Sequence, residues 1–437
     1  MFRILALIYT FFWSTNLFSQ NAFTISSAIQ YALDHNYDYR KAQLDKMITY
    51  ERTQEVLTQG FPKINANIGY QNQFIVPTSV IPGDAFGNPG TLLPVKFGLS
   101  NSMTATIGLQ QLIFDGRYLV GVQARSAIKE LANIQVKMSE RDVRILITKT
   151  YYQAVISQKS IKLLKENSEI LHKLYDQTKK TYQAGLIEEL DVERLQYNVQ
   201  TLDNTIRQLE SQSQLALSAL KLNMGYPMDD TLIIQSDLQS ELTRIKNQNF
   251  FQDSLENRVE LKLVDQGIQI KKYDLKQLKY GYLPSVYGSA AFGYNSFSQR
   301  FSFPDNPWYP LGNFGIQAQI PIFDGFTRKS QVQQAKLALE RSELDRNQLY
   351  QALRMESLNS IRELRNSIND YDNQMDIWKL SEKIERKTQI KYKEGVGSSF
   401  EFANAQNERI QQYLKLLQSE LKLLNSNVDF QKANGKL

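Results

Sequence analysis

The chain of 437 residues contains no cysteine and only two histidines, His35 and His172. Without cysteine there are no disulfides, no thiolate chemistry, no cysteine-ligated zinc and no lipidated N-terminal cysteine. Each histidine stands in a helical pattern without a metal-ligand partner four residues on, and no nucleophile motif, phosphate-binding loop or metal cluster is present. Paired carboxylates such as Glu188 and Glu189 read as solvated turn residues. Enzymatic chemistry is therefore not expected, and no cofactor or metal is implied. A charge block is missing too: lysine plus arginine number 51 against 45 acidic residues, and no basic cluster stands out. A nucleic-acid partner, which needs a clustered footprint, is not expected. Long apolar runs are also lacking. The longest, Ile4 to Trp13, follows a single arginine and precedes small and polar residues, the layout of a secretory signal peptide over residues 1–20 with a cut near Ser19 or Gln20. It is too short for a membrane helix of ~20 residues. An exported chain without such a helix can span a bilayer only with strands.

What is present is a duplication. "LIFDG" (Leu112 to Gly116) recurs as "PIFDG" (Pro321 to Gly325), and the surroundings recur with it. In the first half a helical stretch, with Ile25, Ile29, Ala32 and Leu33 on one face, ends at Pro62. Strict alternation follows: Ile64, Ala66, Ile68 and Tyr70 against Asn65, Asn67, Gly69 and Gln71. A loop rich in proline and glycine leads to a second alternating run, Met103, Ala105, Ile107 and Leu109 against Thr104, Thr106, Gly108 and Gln110. Period two predicts strands with one apolar and one polar face. The second half repeats the order, with Val286, Gly288, Ala290, Phe292 and Tyr294 on one face of its first strand. Its second strand sets Phe314, Ile316, Ala318 and Ile320 against Gln317 and Gln319. Each Ile-Phe-Asp-Gly sits where strand hands over to helix. Asp115 and Asp324 are expected to cap the helices, Gly116 and Gly325 to permit the change of direction, and Phe114 and Phe323 to be buried or at an interface.

Long helices follow each copy, from about Arg117 to Lys180 and from about Phe326 to Lys391. Their 3-4 spacing (Ile161, Leu164, Ser168, Leu171, Tyr175, Thr178; Ile361, Leu364, Ile368, Tyr371, Met375, Trp378) predicts coiled-coil-like packing. The returning helices carry Leu195, Val199, Leu202, Ile206, Leu209, Ser213, Ala216 and Leu220, and then Ile410, Leu414, Leu417, Leu421, Leu424 and Val428. "YQAGLIEEL" and "YKEGVGSSF" mark tight turns at Gly185 and Gly395, so two antiparallel helical hairpins are expected. A helix of some 64 residues would be ~96 Å long, too long for a compact domain. The strands, at about ten residues each, are long enough to cross a membrane. Four cannot close a barrel, which needs at least ~8, so several chains must share one: two would give about eight strands, three about twelve. The polar faces would line a wet lumen, and Tyr70, Phe74, Tyr282 and Tyr294 fit aromatic girdles at the rims.

In the order "ISSAIQYALDHN", "LKLNMGYP", "RVELKLVDQGI", "YLPSV", with the two Ile-Phe-Asp-Gly copies and the two Tyr-x-x-Gly turns, the chain resembles the TolC-like outer-membrane efflux proteins of Gram-negative bacteria. The resemblance spans nearly all of the mature chain, with Arg-Val-Glu-Leu at Arg258 where the family often has Arg-Pro-Asp-Leu. It implies a mixed, mainly α fold: long coiled-coil hairpins forming an α-barrel, plus four transmembrane strands per chain in a shared trimeric β-barrel. The halves would be 21–224 and 253–437, joined by an equatorial segment, 225–252. It implies a homotrimer in outer-membrane lipid, acting as the passive channel of a tripartite efflux or type I secretion system. Its turns would meet a periplasmic membrane-fusion adaptor and, through it, an inner-membrane pump. By position the docking tips are Gly185, Leu186, Gly395 and Val396, and the periplasmic gate is Tyr392, Glu401 and Asp191. Gly397 replaces an arginine gate link and Asn404 a second aspartate, so a tethered acidic ring does not carry over. Glu401 and Asp191 read either as a cation-attracting constriction or as ordinary solvated carboxylates. The alternative for the whole chain is a periplasmic coiled-coil structural or adaptor protein.

Overall fold

The computed structural model describes residues 22–87, 89–235, 237–248, 255–301 and 305–437. The signal-peptide expectation lies outside the described residues. In chain order the elements are α1 (Ile25–His35), α2 (Tyr37–Thr58), β1 (Lys63–Asn72), β2 (Thr78–Pro82), β3 (Leu92–Lys96), β4 (Asn101–Asp115), α3 (Gly116–Gln183), α4 (Glu189–Met224), α5 (Leu238–Lys246), α6 (Val259–Tyr280), β5 (Ser285–Ser298), β6 (Trp308–Gln319), α7 (Thr327–Lys393) and α8 (Ser399–Ala433). No helix among the described residues is long and apolar enough to cross a membrane.

The chain divides into two compact units that cut across the sequence repeats, each drawing on both halves: residues 44–134 with 262–348, and residues 1–43 with 135–261 and 349–437. The first contains the sheet, in the order β1-β4-β5-β6, every pair antiparallel. The two expected hairpins are there, and β4 pairing with β5 joins them into one sheet. Register keeps the alternation continuous across all four strands. Ile64 faces Leu109, which faces Ala290, which faces Phe314; one step along, Asn65, Gly108, Ala291 and Asn313 make the opposite face. A one-residue slip anywhere would mix the faces. Gly293 lets β5 come close: a Cβ there would strike the Ala105 carbonyl and Thr106 of β4. Among the described residues the edge strands are largely bare and the central strands half-buried, with Asn101, Ser296 and Ser298 buried at one end. Every residue of β1 is exposed, with Ile68 at 76% and Phe314 on β6 at 76%.

Both Ile-Phe-Asp-Gly aspartates cap helices as expected, by different geometries. β4 continues through the motif, with an irregularity between Leu112 and Phe114, and α3 starts at once; Asp115 Oδ1 accepts the amides of Arg117 (2.7 Å) and Tyr118 (3.2 Å). β6 stops early, at Gln319, and the Arg328 amide donates to Asp324 Oδ2 at 3.1 Å. Gly325 turns the chain at φ +64°. Gly116 does not adopt a left-handed conformation; it is there because a Cβ would lie 2.8 Å from the Tyr280 carbonyl and 2.9 Å from Leu283. Phe114 and Phe323 are exposed in the single chain, not buried.

The other unit is helical. The single N-terminal helix expected from the sequence is two. Asn36 breaks it: Oδ1 accepts the amides of Asp38 and Tyr39, both at 2.9 Å, while Nδ2 donates to the Asn223 carbonyl at 2.6 Å. That bond ties the α1–α2 junction to the end of α4, where Gly225 (φ +71°) lies so close to the His35 carbonyl that no side chain fits. The hairpin seams form as expected on the returning helices, with Leu195, Val199, Leu202, Ile206, Ser213 and Leu220 buried. On α3 Leu164, Leu171 and Thr178 are buried as expected, but Asn167 and Leu174 take the alternate places, with Ser168 and Tyr175 only half-buried. Ser168 turns aside to donate to Asp203 of α4 at 3.0 Å. A larger core packs α1, α5 and the C-terminal half of α8 around Tyr151, whose hydroxyl donates to the carbonyls of Phe23 (2.8 Å) and Gln235 (2.6 Å).

Arg258, with 1% exposure, organises the end of this unit. Its guanidinium donates to both Glu260 oxygens (3.0 and 2.8 Å), to Glu356 on α7 (2.9 Å) and to the Ala433 carbonyl at the end of α8 (2.7 Å). Arg141 of α3 adds a 2.6 Å bond to Glu260. Burial pushes the Glu260 carboxyl up, but the Arg258 hydrogen bonds and the charges of Arg258 and Arg141 outweigh it and hold it at about 2. A depressed carboxyl stabilises the fold above its unfolded pKa, near 4.5, and that contribution disappears as pH falls through about 2. Replacing Arg258 with alanine leaves Glu260 with Arg141, Glu356 with Lys432 and the Ala433 carbonyl without its side-chain donor, for an expected loss of roughly 1–3 kcal/mol. Thermal unfolding in detergent checks this. The melting temperature of the wild type should fall on acidification from about pH 5 to about pH 2, and that of Glu260→Gln should fall less.

Candidate functional site

The two hairpin turns are built alike. At the end of α3 the Gly185 amide donates to Tyr182 O (2.8 Å) and the Leu186 amide to Thr181 O (3.2 Å). At the end of α7 the Gly395 amide donates to Tyr392 O (3.1 Å) and the Val396 amide to Lys391 O (3.0 Å). Paired bonds of this kind around a left-handed residue are a Schellman cap, and the glycines supply it at φ +75° and +72°. Nothing lies within 4 Å of a Cβ added at either glycine, so they are required by backbone conformation and not by crowding. The next residue is apolar and in water: Leu186 is 75% exposed and Val396 81%. Two bare aliphatic side chains on rigid turns are a surface without a partner in the chain.

The turns differ in how the next helix starts. Ser398 caps α8, its side chain accepting the Glu401 amide at 3.1 Å, and Gly397 adds a second amide to Lys391 O at 3.0 Å. Glu188, at the related position before α4, makes no side-chain cap. Behind the turns lies a core of Leu164, Leu171, Leu174, Leu195, Phe402 and Ala403 with Tyr392 packed against it.

Of the three residues expected at the gate, the structure gives two a partner across the second turn. Tyr392 stacks on Phe402, rings 5.7 Å apart and 15° from parallel. Glu401 faces Lys391 Nζ at 3.7 Å, both exposed. Asp191 stands in the first turn of α4, where its carboxylate favours the helix N-terminus; among the described residues no ion pair involves it. Asp191 and Glu401 are related positions of the two halves, as are Tyr182 and Tyr392. The sequence reading missed the contact that links the hairpins. Arg194 of α4 lies over the Phe400 ring of α8 at 4.6 Å, and with Glu193, Tyr197, Asn198 and Asn404 the pair lines an open groove of about 450 Å³. The duplication carried a signal for it, because Arg194 and Asn404 are equivalent positions occupied by different chemistry. Among the described residues no cluster of acidic and histidine side chains could hold a metal ion.

A sheet with one apolar face and two open edges, continuous in the chain with two glycine-tipped helical hairpins, defines a class: proteins that meet a membrane with strands. The profile of the outer membrane efflux protein family matches residues 28–226 and 250–436, and the chain belongs to that family. It is accordingly an outer-membrane protein and not an enzyme. Nodulation protein T of Rhizobium leguminosarum bv. trifolii is 21% identical over 277 residues, 62% of this chain; the aligned part spans 58% of that protein's length. The fold is that of the Campylobacter jejuni CmeC outer membrane channel (TM-score 0.72, 16% identity, 94% of this chain and 85% of that one). It is equally that of the Neisseria gonorrhoeae MtrE outer membrane channel in its open state (TM-score 0.71, 16% identity, 94% and 88%).

Alanine at Gly185 or Gly395 must hold a left-handed backbone that L-residues resist by about 1–2 kcal/mol. The expected outcome is local: faster hydrogen exchange at the Leu186 or Val396 amide, with the melting temperature of the whole protein nearly unchanged.

Proposed function

We propose that three copies of this chain form one passive conduit through the outer membrane, working with a periplasmic adaptor and an inner-membrane pump. The observation that carries the reading is the four-stranded sheet exposed on both faces and unpaired along β1 and β6. In lipid those edges must find strands, and a second copy offers them. Three copies give about twelve strands, a closed even-numbered barrel. The face carrying Ile64, Ile68, Ile107 and Phe314 then meets lipid. The face carrying Asn65, Asn67, Thr104, Thr106, Gln317 and Gln319 lines a wet lumen, with Gln71 and Gln110 on the same alternation. No catalytic or energy-coupling site stands among the described residues; movement of the cargo is driven elsewhere. In this reading the halves 21–224 and 253–437 contribute equivalent hairpins, and 225–252 belongs to a belt around the helices.

The turns are the adaptor-docking tips. Leu186 and Val396 supply the apolar contact, Gly185 and Gly395 the close approach. Tyr392, Glu401 and Asp191 form the gate behind them. The Lys391 contact to Glu401 substitutes a lysine for the missing arginine link, within one hairpin and in water, where such pairs contribute about 0–1 kcal/mol. The gate is thus weakly tethered.

Native mass of the protein extracted from outer membranes in mild detergent should give a trimer; a soluble monomer or dimer absent from that fraction would overturn the conduit. Gly185→Trp or Gly395→Trp should abolish transport while trimers persist, and normal export by either variant would remove the docking assignment. Glu401→Lys should lower cation selectivity in planar bilayers. Unchanged selectivity would leave Glu401 and Asp191 as solvated carboxylates.

A further inference from the structure

The connection from β1 to β4 is a built element. The Gln73 amide closes its base on the Ser100 carbonyl at 2.7 Å, and β2 pairs with β3 from Thr78↔Lys96 to Pro82↔Leu92. Its tip is tied by the Gly83 amide on Thr91 O (2.8 Å) and the Gly90 amide on Asp84 Oδ1 (3.0 Å). Chain order puts it at the end of the sheet opposite α2, α3, α6 and α7, which in the conduit is the outside of the cell. Loops in water are ordinarily polar, and this hairpin is not. Directly opposed residues share a face, so Val80 with Pro94 and Pro82 with Leu92 make the outer part of one face apolar, with Thr78 and Lys96 at its base. Val80 is 58% exposed and Leu92 73%, and Phe86 at the tip is 65% exposed. The opposite face, with Ile81, Leu93 and Val95, is half-buried. The side of the tip bears one carboxylate, Asp84, already held by Gly90. Pro82 and Pro94 remove ladder donors, so the hairpin is guarded against extension by another strand while its face stays open.

We propose that the β2–β3 hairpins of three copies pack against one another by this apolar face and cover the outer mouth of the barrel. The proposal rests on the trimeric reading and goes beyond it. Twelve strands spaced ~4.8 Å and tilted ~40° enclose a barrel of radius about 12 Å. Five-residue arms span about 17 Å before the turn is counted. Each hairpin therefore reaches the axis from its own rim position. Three identical apolar faces held within that distance meet at a high effective concentration, and no other partner is present in fixed number at that place. The cover is held by apolar contact alone, so cargo or pressure from within can part it.

The chain's lack of cysteine makes the test direct. Phe86→Cys and Leu92→Cys are each introduced singly, with Ile68→Cys on the lipid face as control, and intact outer membranes are oxidised with copper phenanthroline. Native mass is taken for every variant. Three equivalent thiols at one axis can form one disulfide, so about two thirds of the chains should run as cross-linked dimers for either hairpin variant, and none for the control. Trimers in which neither hairpin variant cross-links above the control overturn the cover and leave the conduit standing. A fluorophore attached to the introduced thiol of either hairpin variant gives a second readout. Its quenching by headgroup-attached quenchers, placing the hairpin on the lipid surface, overturns the cover as well. Absence of trimers overturns the trimeric reading and the cover with it.

Discussion

A backbone amide or carbonyl left unpaired in hydrocarbon is worth several kcal/mol, and the architecture follows from that constraint. β1 and β6 each present an open edge, and the sheet they bound has no core beneath it. A water-soluble sheet of this kind would bury one face against helices. Here Ile64, Ile68 and Phe314 remain bare, and their register partners keep the apolar row unbroken from edge to edge. In the proposed conduit, lipid on one side and other subunits at both edges supply the energy that organises the sheet.

The helical unit solves the opposite problem. It has a core of its own, and its polar groups are gathered where helices end. Asn36 ties the α1–α2 break to the last turn of α4, and Arg258 ties the start of α6 to α7 and to the last carbonyls of α8. Buried charge of this kind contributes little net stability relative to an apolar replacement. It does fix which helix ends meet. The hairpin tips carry no comparable network: a weak Lys391–Glu401 pair, one ring stack and one arginine over a phenylalanine. Polar ties are concentrated at the helix ends around Asn36 and Arg258 and are sparse at the hairpin turns.

Much of this was legible in the residues because it is periodic. Alternation placed all four strands, and register then followed from keeping Ile, Ala and Phe on one side. The glycines at 185 and 395 announced turns, and they adopt the left-handed geometry that turns require. What was not legible depends on contacts distant in sequence. Nothing near Gly116 says that the Tyr280 carbonyl passes 2.8 Å from where its Cβ would lie; the repeat suggested the same role as Gly325, and the roles differ. The break at Asn36 is invisible in a helical pattern until Asn223 is known to face it. Part of the α3 seam differs by one position for the same reason: Asn167 and Leu174 are buried in place of Ser168 and Tyr175, and Ser168 bonds Asp203 on the neighbouring helix. The sequence gives no sign of the Lys391 contact, because its partner Glu401 begins the next helix.

The duplication explains why the two halves could diverge at their tips. A shared barrel needs its strands to match in length and alternation, so the sheet halves stay alike. The turns face separate surroundings and need only the glycine and the aliphatic residue after it. The capping residue is free to change, from Glu188 to Ser398, and so is the helix face, from Arg194 to Asn404. With a serine cap and the extra Gly397 amide on Lys391 O, the second turn is the more firmly built. The first starts its helix without a side-chain cap, so its opening turn is the easier to unwind.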